Sequence, residues 1–262
     1  MALQTHFLPV TQRPLSRENI NYGLFFIYGM RILTIFGAMK FFNPDFIDFF
    51  KELAANNHKD WFDLNRKRYE QSVKKPFAAF TQYMIDVIAK ENSDFNDLLA
   101  KDCIFRINRD IRFSNDKTPY KTMSSAVIAT GGKKSTAING IYFEFSAEHV
   151  RVYGGIYEIN KEDLLTLRHG IADNLDAFKS CYQHPDFVEF FGDIKGDKNK
   201  VLPAALKTVA AAEPLLLNKQ FYFYATFPSE TVLREDLDTL LLKAYRVGKP
   251  LEDFFNQLIH RS

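Results

Sequence analysis

Residues Phe105–Lys121 read FRINRDIRFSNDKTPYK, and this stretch organises the rest of the chain. At a strand's period of two it divides into two faces. Phe105, Ile107, Arg109, Ile111 and Phe113 fall on one, and Arg106, Asn108, Asp110, Arg112 and Ser114 on the other. The first is an apolar face interrupted by one arginine. A guanidinium keeps its proton, so Arg109 requires a carboxylate or carbonyl partner if that face is buried. The second carries two forked cations around Asp110, a pattern that suits planar carboxylate or phosphate. Asn115 and Asp116 are turn formers, and Pro119 holds Thr118 extended, which sets Lys117 and Lys121 at the exit of the predicted strand.

Working outward, Ser125–Thr130 reads as a second strand, followed by a glycine-lysine loop from Gly131. Ile141–Ser146 and Val150–Tyr153 alternate cleanly across a short Ala-Glu-His connection. Their pattern puts Ile141, Phe143, Phe145, Val150 and Val152 on one face and Tyr142, Glu144, Arg151 and Tyr153 on the other. A last strand is expected from Phe221. Helices are predicted on both sides of this β region. Asn43-Pro44 opens the first, with Phe46, Phe49, Phe50 and Leu53 at helical spacing. A second starts near Asp60, and Lys74-Lys75-Pro76 is expected to break or kink it. A third carries Phe77, Phe80, Met84 and Val87 or Ile88. Beyond the strands, Asn160 caps a helix with Leu164, Leu167 and Ile171 on its stripe. Later helices carry Leu175, Phe178 and Tyr182, then an alanine-rich segment between Pro203 and Pro214. Two closing helices are expected, Thr231–Tyr245 and Leu251–Ile259. The expected fold is α+β, with a central antiparallel sheet of about five strands and helices from both chain ends packed on one face.

The chain has 262 residues, 46% hydrophobic and 25% charged, enough for a sizeable core of ordinary composition. Its 26 phenylalanines make that core aromatic. A net charge of +2 argues against a protein built mainly to hold nucleic acid, so nucleic acid stays possible but disfavoured as a partner. Cys103 and Cys181 are the only cysteines. Two lone thiols point to a reducing, cytoplasmic setting without a disulfide framework. In residues 1–38 two apolar runs are split by Arg31, and neither reaches the ~18 uncharged residues of a membrane span. Met39 resembles a natural start, so residues 1–38 are expected to be a leader or start-site extension outside the fold. Residues 39–262 are expected to form a single α+β domain.

The chemistry that these residues favour is anion binding. Arg106, Arg109, Arg112, Lys117, Tyr120, Lys121 and, from the later helix, Arg168 are the candidate ligand-binding residues. Asp110 and Glu144 are the candidate catalytic carboxylates. The expected ligand is an anionic small molecule or a phosphate-bearing ligand. If turnover occurs, phosphoryl or phosphodiester hydrolysis fits best, with arginines meeting the developing charge. Two other readings stay open. The charged strand is a non-catalytic module docking an acidic partner, or its arginines form an internal ion-pair network. Gly154-Gly155 ahead of a helix brings backbone N–H groups to an anion or else permits close packing. The six histidines are scattered without metal spacing, and no dinucleotide fingerprint occurs. No cofactor is indicated, and no membrane contact is expected.

The run Arg-x-x-Arg-Asp-x-Arg-Phe from Arg106, followed by Lys-x-Pro-Tyr-Lys from Lys117, resembles the signature of domain of unknown function 2461. Asn56-Asn57 with Trp61-Phe62, Tyr69 and Pro76 resembles that family's N-terminal block. Gly154-Gly155-x-Tyr157 with Arg168 and Ile171 resembles its middle block. The likeness runs from about Phe42 to the C-terminus. Where the family usually shows Pro-Gly and later His-Pro, this chain has Pro203-Ala204 and Ala211-Ala212. The resemblance implies a map of positions and no activity.

Overall fold

The computed structural model describes residues 40–134 and 140–259. The expectation for residues 1–38 lies outside the described residues. Helix α1 (Asp45–Ala55) carries Phe46, Phe49, Phe50 and Leu53 on its buried stripe, the spacing that sends one helical face inward. Helix α2 (Lys59–Leu64) is capped by the His58 ring, which accepts from the Trp61 amide. A short turn, α3 (Arg66–Arg68), then widens into a π-helical segment, Tyr69–Lys74. That segment runs straight into α4 (Lys75–Ala89). The break expected at Lys74-Lys75-Pro76 is therefore replaced by a wide turn. Pro76 sits at the start of α4, directly after that wide turn. A single turn, α5 (Ala100–Cys103), leads to the signature loop.

Four strands follow: β1 (Met123–Ala129), β2 (Gly140–Ser146), β3 (His149–Ile156) and β4 (Phe221–Pro228). They form one antiparallel sheet in the order β1-β2-β3-β4. This corrects the expected count of about five. Residues 105–113 form no strand, and only isolated bridges at Ile104↔Ala126 and Asn108↔Tyr120 tie them down. The side chains of Asp110, Arg112 and Arg109 bond within the segment and bend it away from a ladder. The glycine pair also lies inside β3 rather than after it.

Between β3 and β4 lie α6 (Lys161–Asp173), α7 (Leu175–Tyr182), α8 (Pro185–Phe191) and α9 (Ala204–Ala212). Asn160 caps α6 by accepting from the Asp163 amide at 2.8 Å. The chain closes on one helix, α10 (Leu237–Leu258), not two. Pro250 sits inside it. An interior proline costs about 3 kcal/mol. The buried stripe on both sides of it, from Leu241 and Tyr245 to Leu251 and Phe255, offsets that cost.

Cross-strand pairing assigns the two faces. Phe143 opposes Val152, and Val152 opposes Ala225, so these share a face with Phe145, Phe221 and Phe223. Rings meet this face at T-shaped or tilted angles: Phe42, Phe77 and Phe80 on Phe145, Phe187 and Phe191 on Phe223, and Phe255 on Phe221. The opposite face carries Val127, Tyr142, Glu144, Arg151, Tyr153, Tyr222 and Tyr224. Among the described residues no helix is long and apolar enough to cross a membrane.

Pairing between β2 and β3 ends at Tyr142↔Tyr153, and a carboxylate fills the seam beyond it. Glu252 of α10, 2% exposed, accepts from the Gly140 amide at 3.0 Å and the Gly155 amide at 2.9 Å. Gly155 has φ +82°, and a Cβ there would stand 2.3 Å from the Phe221 carbonyl oxygen. A Cβ on Gly154 would meet the Phe223 ring at 2.6 Å and Glu252 at 2.7 Å. The glycine pair thus serves close packing, and its one anion contact is internal. Burial pushes the Glu252 carboxyl up to about 8, against the pull of the two amides. Its folded pKa lies above the unfolded 4.5, so the folded state holds the extra proton between those values. Stability contributed by this group is full below pH 4.5 and is lost as pH rises through about 8. Glu252→Gln turns an amide donor toward one glycine N–H. It is expected to cost about 1–3 kcal/mol in denaturant unfolding at pH 5. The same variant should flatten the decline in stability from pH 5 to 9, and an unchanged slope would contradict this assignment.

Candidate functional site

The signature loop leaves the edge of β1 as a narrow hairpin. Phe105 N donates to Ser125 O at 3.0 Å, Lys121 N to Ile107 O at 2.8 Å, and Arg109 N to Pro119 O at 2.9 Å. Asn57, just ahead of α2, clamps the returning arm. Its Nδ2 donates to Tyr120 O at 2.9 Å, and its Oδ1 accepts from Tyr120 N at 3.1 Å, so one side chain completes the pairing a neighbouring strand would supply. The Tyr120 ring is buried and stacks on Phe62 with centroids 4.1 Å apart and planes 17° apart.

Most of the loop's cations are bonded within the loop. Arg109 donates to Asp116, to the Thr118 hydroxyl and, at 3.1 Å, to the Thr118 carbonyl. It thus finds the partners that its place in the pattern requires. Arg112 forms a forked pair with Asp110 at 2.9 and 2.6 Å, and that guanidinium holds the Asp110 carboxyl below the usual carboxylate range. The Thr118 amide and hydroxyl, with Arg109, do the same for Asp116. Lys117 donates to Ile111 O at 2.9 Å. Two cations differ. Arg106 is exposed and makes no hydrogen bond or ion pair among the described residues. Lys121 is half-buried over the Phe105 ring, its Nζ 5.3 Å from the centroid, with no acid in bonding range among the described residues. Burial and the charge of Arg106 lower its pKa, while Glu144 pulls the other way.

Arg106 opens onto a hollow of about 260 Å³. Arg66 and Lys74 line it together with Asn108, and Phe62, Tyr69 and Tyr120 form its aromatic wall. The π-helical turn brings Tyr69, Glu70 and Lys74 to this wall, a wide-turn geometry common at functional sites. Among the described residues Glu70 is the only acid in the lining, and it is engaged by Lys74 at 2.8 Å. Arg66 is held by Asp63 at 2.5 Å. Arg68 bonds Asp45 and Glu52, and the exposed Arg66 joins the hollow.

Glu144 stands apart, on the tyrosine face of the sheet. It is 7% exposed and accepts from Tyr142 at 3.0 Å and Tyr153 at 3.1 Å, with His149 at 3.1 Å and Arg151 at 3.7 Å on the same oxygen as Tyr153. Asp110 and Glu144 therefore have separate partners and form no carboxylate pair with each other. Arg168 is buried elsewhere, donating to Asn218 O at 2.8 Å beside the connection into β4. Among the described residues no group of three or more His, Cys, Asp or Glu is placed to hold a metal ion. Two functional-looking features were illegible in the sequence pattern, the Arg66–Lys74–Arg106 hollow and the Glu252 strut. Both join segments far apart in sequence.

Asn57→Ala leaves the buried Tyr120 amide and carbonyl without partners. It should lower stability by about 1–3 kcal/mol. Hydrogen exchange at the Tyr120 amide should accelerate well beyond that global loss, and exchange that tracks only the global change would refute the clamp.

No curated protein matches the chain. A family model described as Conserved hypothetical protein (DUF2461) matches residues 45–254, which include α1, the whole signature loop and most of α10. The chain belongs to that family.

Proposed function

We propose that the protein binds an anionic, phosphate-bearing ligand in the hollow headed by Arg106. One observation carries this reading: Arg106 keeps its guanidinium donors free while the neighbouring arginines of the loop are bonded to acids. A planar fork without a bonded acid offers a phosphate bidentate contacts, beside Arg66 and Lys74, whose charges Asp63 and Glu70 already partly meet. Asn108 adds a neutral donor to the same hollow. The rigid clamp on Tyr120 supports the reading too, because a preorganised wall reduces the ordering cost of binding. Lys121, on the far side of the narrow hairpin, reinforces the local positive field, as do Arg109, Arg112 and Lys117 to the extent that their acids leave charge uncompensated.

In the hydrolytic form of this proposal Arg106 meets the charge that develops on the phosphoryl oxygens. Asp110, held ionised by Arg112, fixes that neighbouring guanidinium in this form. A second reading has its own support. Phe113, 94% exposed at the loop tip with the Arg112 guanidinium 5.7 Å from its ring centroid, suits a non-catalytic module that docks an acidic partner.

The test is thermal shift and calorimetry with inorganic phosphate, pyrophosphate and nucleotides. Pyrophosphate should raise the unfolding temperature of the wild type. Arg106→Ala should weaken that binding about tenfold or more, equivalent to about 1.4 kcal/mol. Arg112→Ala should stay within about twofold of wild type. No response to any of these anions, or a response indifferent to Arg106→Ala, would reject the site. Loss of an acidic-partner interaction in Phe113→Ser, without any small-anion effect, would favour docking.

A further inference from the structure

The tyrosine face of the sheet holds a second cavity, of about 500 Å³, which shares no lining residue with the Arg106 hollow. Its chemistry differs in sign. Glu144 supplies a carboxylate, Glu252 a carboxyl that burial keeps protonated up to about pH 8, and among the described residues no lysine, arginine or histidine lines it. Four tyrosines, Tyr142, Tyr153, Tyr157 and Tyr222, supply most of its ring surface. They stand as two right-angled corners. The Tyr142 and Tyr153 planes meet at 74° with centroids 5.3 Å apart, and those of Tyr157 and Tyr222 at 71° with centroids 5.3 Å apart.

We propose that this cavity binds an organic cation, a methylated ammonium group enclosed by the tyrosine rings and faced by the Glu144 carboxylate. A ring presents negative charge on its face and positive charge at its edge, so a compact cation gains from several faces set at angles to one another. A flat ligand would instead require parallel rings, and neither tyrosine corner is parallel. An anion would be repelled by Glu144. The volume suits a small molecule with more than the ammonium head alone.

The remaining capacity of Glu144 agrees with this choice. Its Oε1 is occupied by Tyr153 and His149 and faces Arg151 at 3.7 Å. Among the described residues its Oε2 accepts from Tyr142 alone. A methylated ammonium asks for nearby negative charge and not for a vacant hydrogen-bond site, so a carboxylate already held by three side chains still serves. Those bonds also fix its position, which a mobile surface acid would lack. Tyr157, 68% exposed, is the ring at the cavity mouth that a ligand would cover.

The test is titration calorimetry with choline and tetramethylammonium, at matched chloride concentration, against 3,3-dimethylbutan-1-ol as the uncharged shape mimic. The cations should bind, and the alcohol should bind at least about tenfold more weakly. Tyr157→Leu should reduce choline affinity several-fold with an unchanged unfolding temperature, because that ring is mostly exposed. Glu144→Gln should reduce it further, and Tyr157→Leu decides the matter should Glu144→Gln fail to fold. Equal binding of alcohol and cation would reduce the cavity to an apolar pocket and overturn the proposal. So would the absence of heat with every probe at tens of millimolar, or choline binding indifferent to Tyr157→Leu.

Discussion

A carboxylate from the last helix, set between two parting strands, is the contact on which the rest of the sheet architecture turns. Without an acceptor the half-buried Gly140 and Gly155 amides would be unpaired, and a fully buried group of this kind costs about 1–3 kcal/mol. Glu252 supplies both acceptors at once. Its burial would be prohibitive for a bare charge, and the raised pKa reflects that tension. The contact explains three otherwise unrelated facts. The glycine pair must lack Cβ atoms because helix and carboxylate approach the strand too closely to admit them. Helix α10 must pass through Pro250 unbroken, since a break two residues ahead of Glu252 would carry the carboxylate off target. The cavity on the tyrosine face exists because the strands part there and the carboxylate forms part of its lining.

The signature loop follows a different logic. Its two acids pair with two of its five cations within a few residues, so part of the charge seen in the sequence is compensated locally. Exposed pairs of this kind contribute little to stability, on the order of 0–1 kcal/mol. What they do is shape the loop, and the buried Tyr120 ring with its asparagine clamp holds that shape against α2. Arg106, which makes no hydrogen bond or ion pair among the described residues, then faces helix residues across the hollow. Two surfaces of opposite character result, a basic hollow between loop and helix and an acidic aromatic cavity on the sheet.

Much of this was legible beforehand where periodicity alone decides structure. The alternation of Ile141–Ser146 and Val150–Tyr153 correctly separated phenylalanine and tyrosine faces, because a pleated strand leaves no other choice. The stripes of α1 and α4, the Asn160 cap and the final strand from Phe221 were equally plain. The charged stretch was misread as a fifth strand for a physical reason. An extended loop and a strand show the same alternation, and only the ladder of a neighbour distinguishes them. Here Asp110 and Asp116 bond nearby cations and amides instead, and local pairing wins over the sheet.

The proline in α10 misled in the same way, since propensity is a local quantity and the burial that overrules it is not. By itself, then, the sequence determined the helices, the four strand segments, their inward faces and the requirement that Arg109 be neutralised. These follow from interactions between near neighbours along the chain. Tertiary structure alone decided which cation stays free, which acid is buried in the strand seam and where the two cavities open. Each of those outcomes sums contacts between segments scores of residues apart, and local patterning carries no information about such sums.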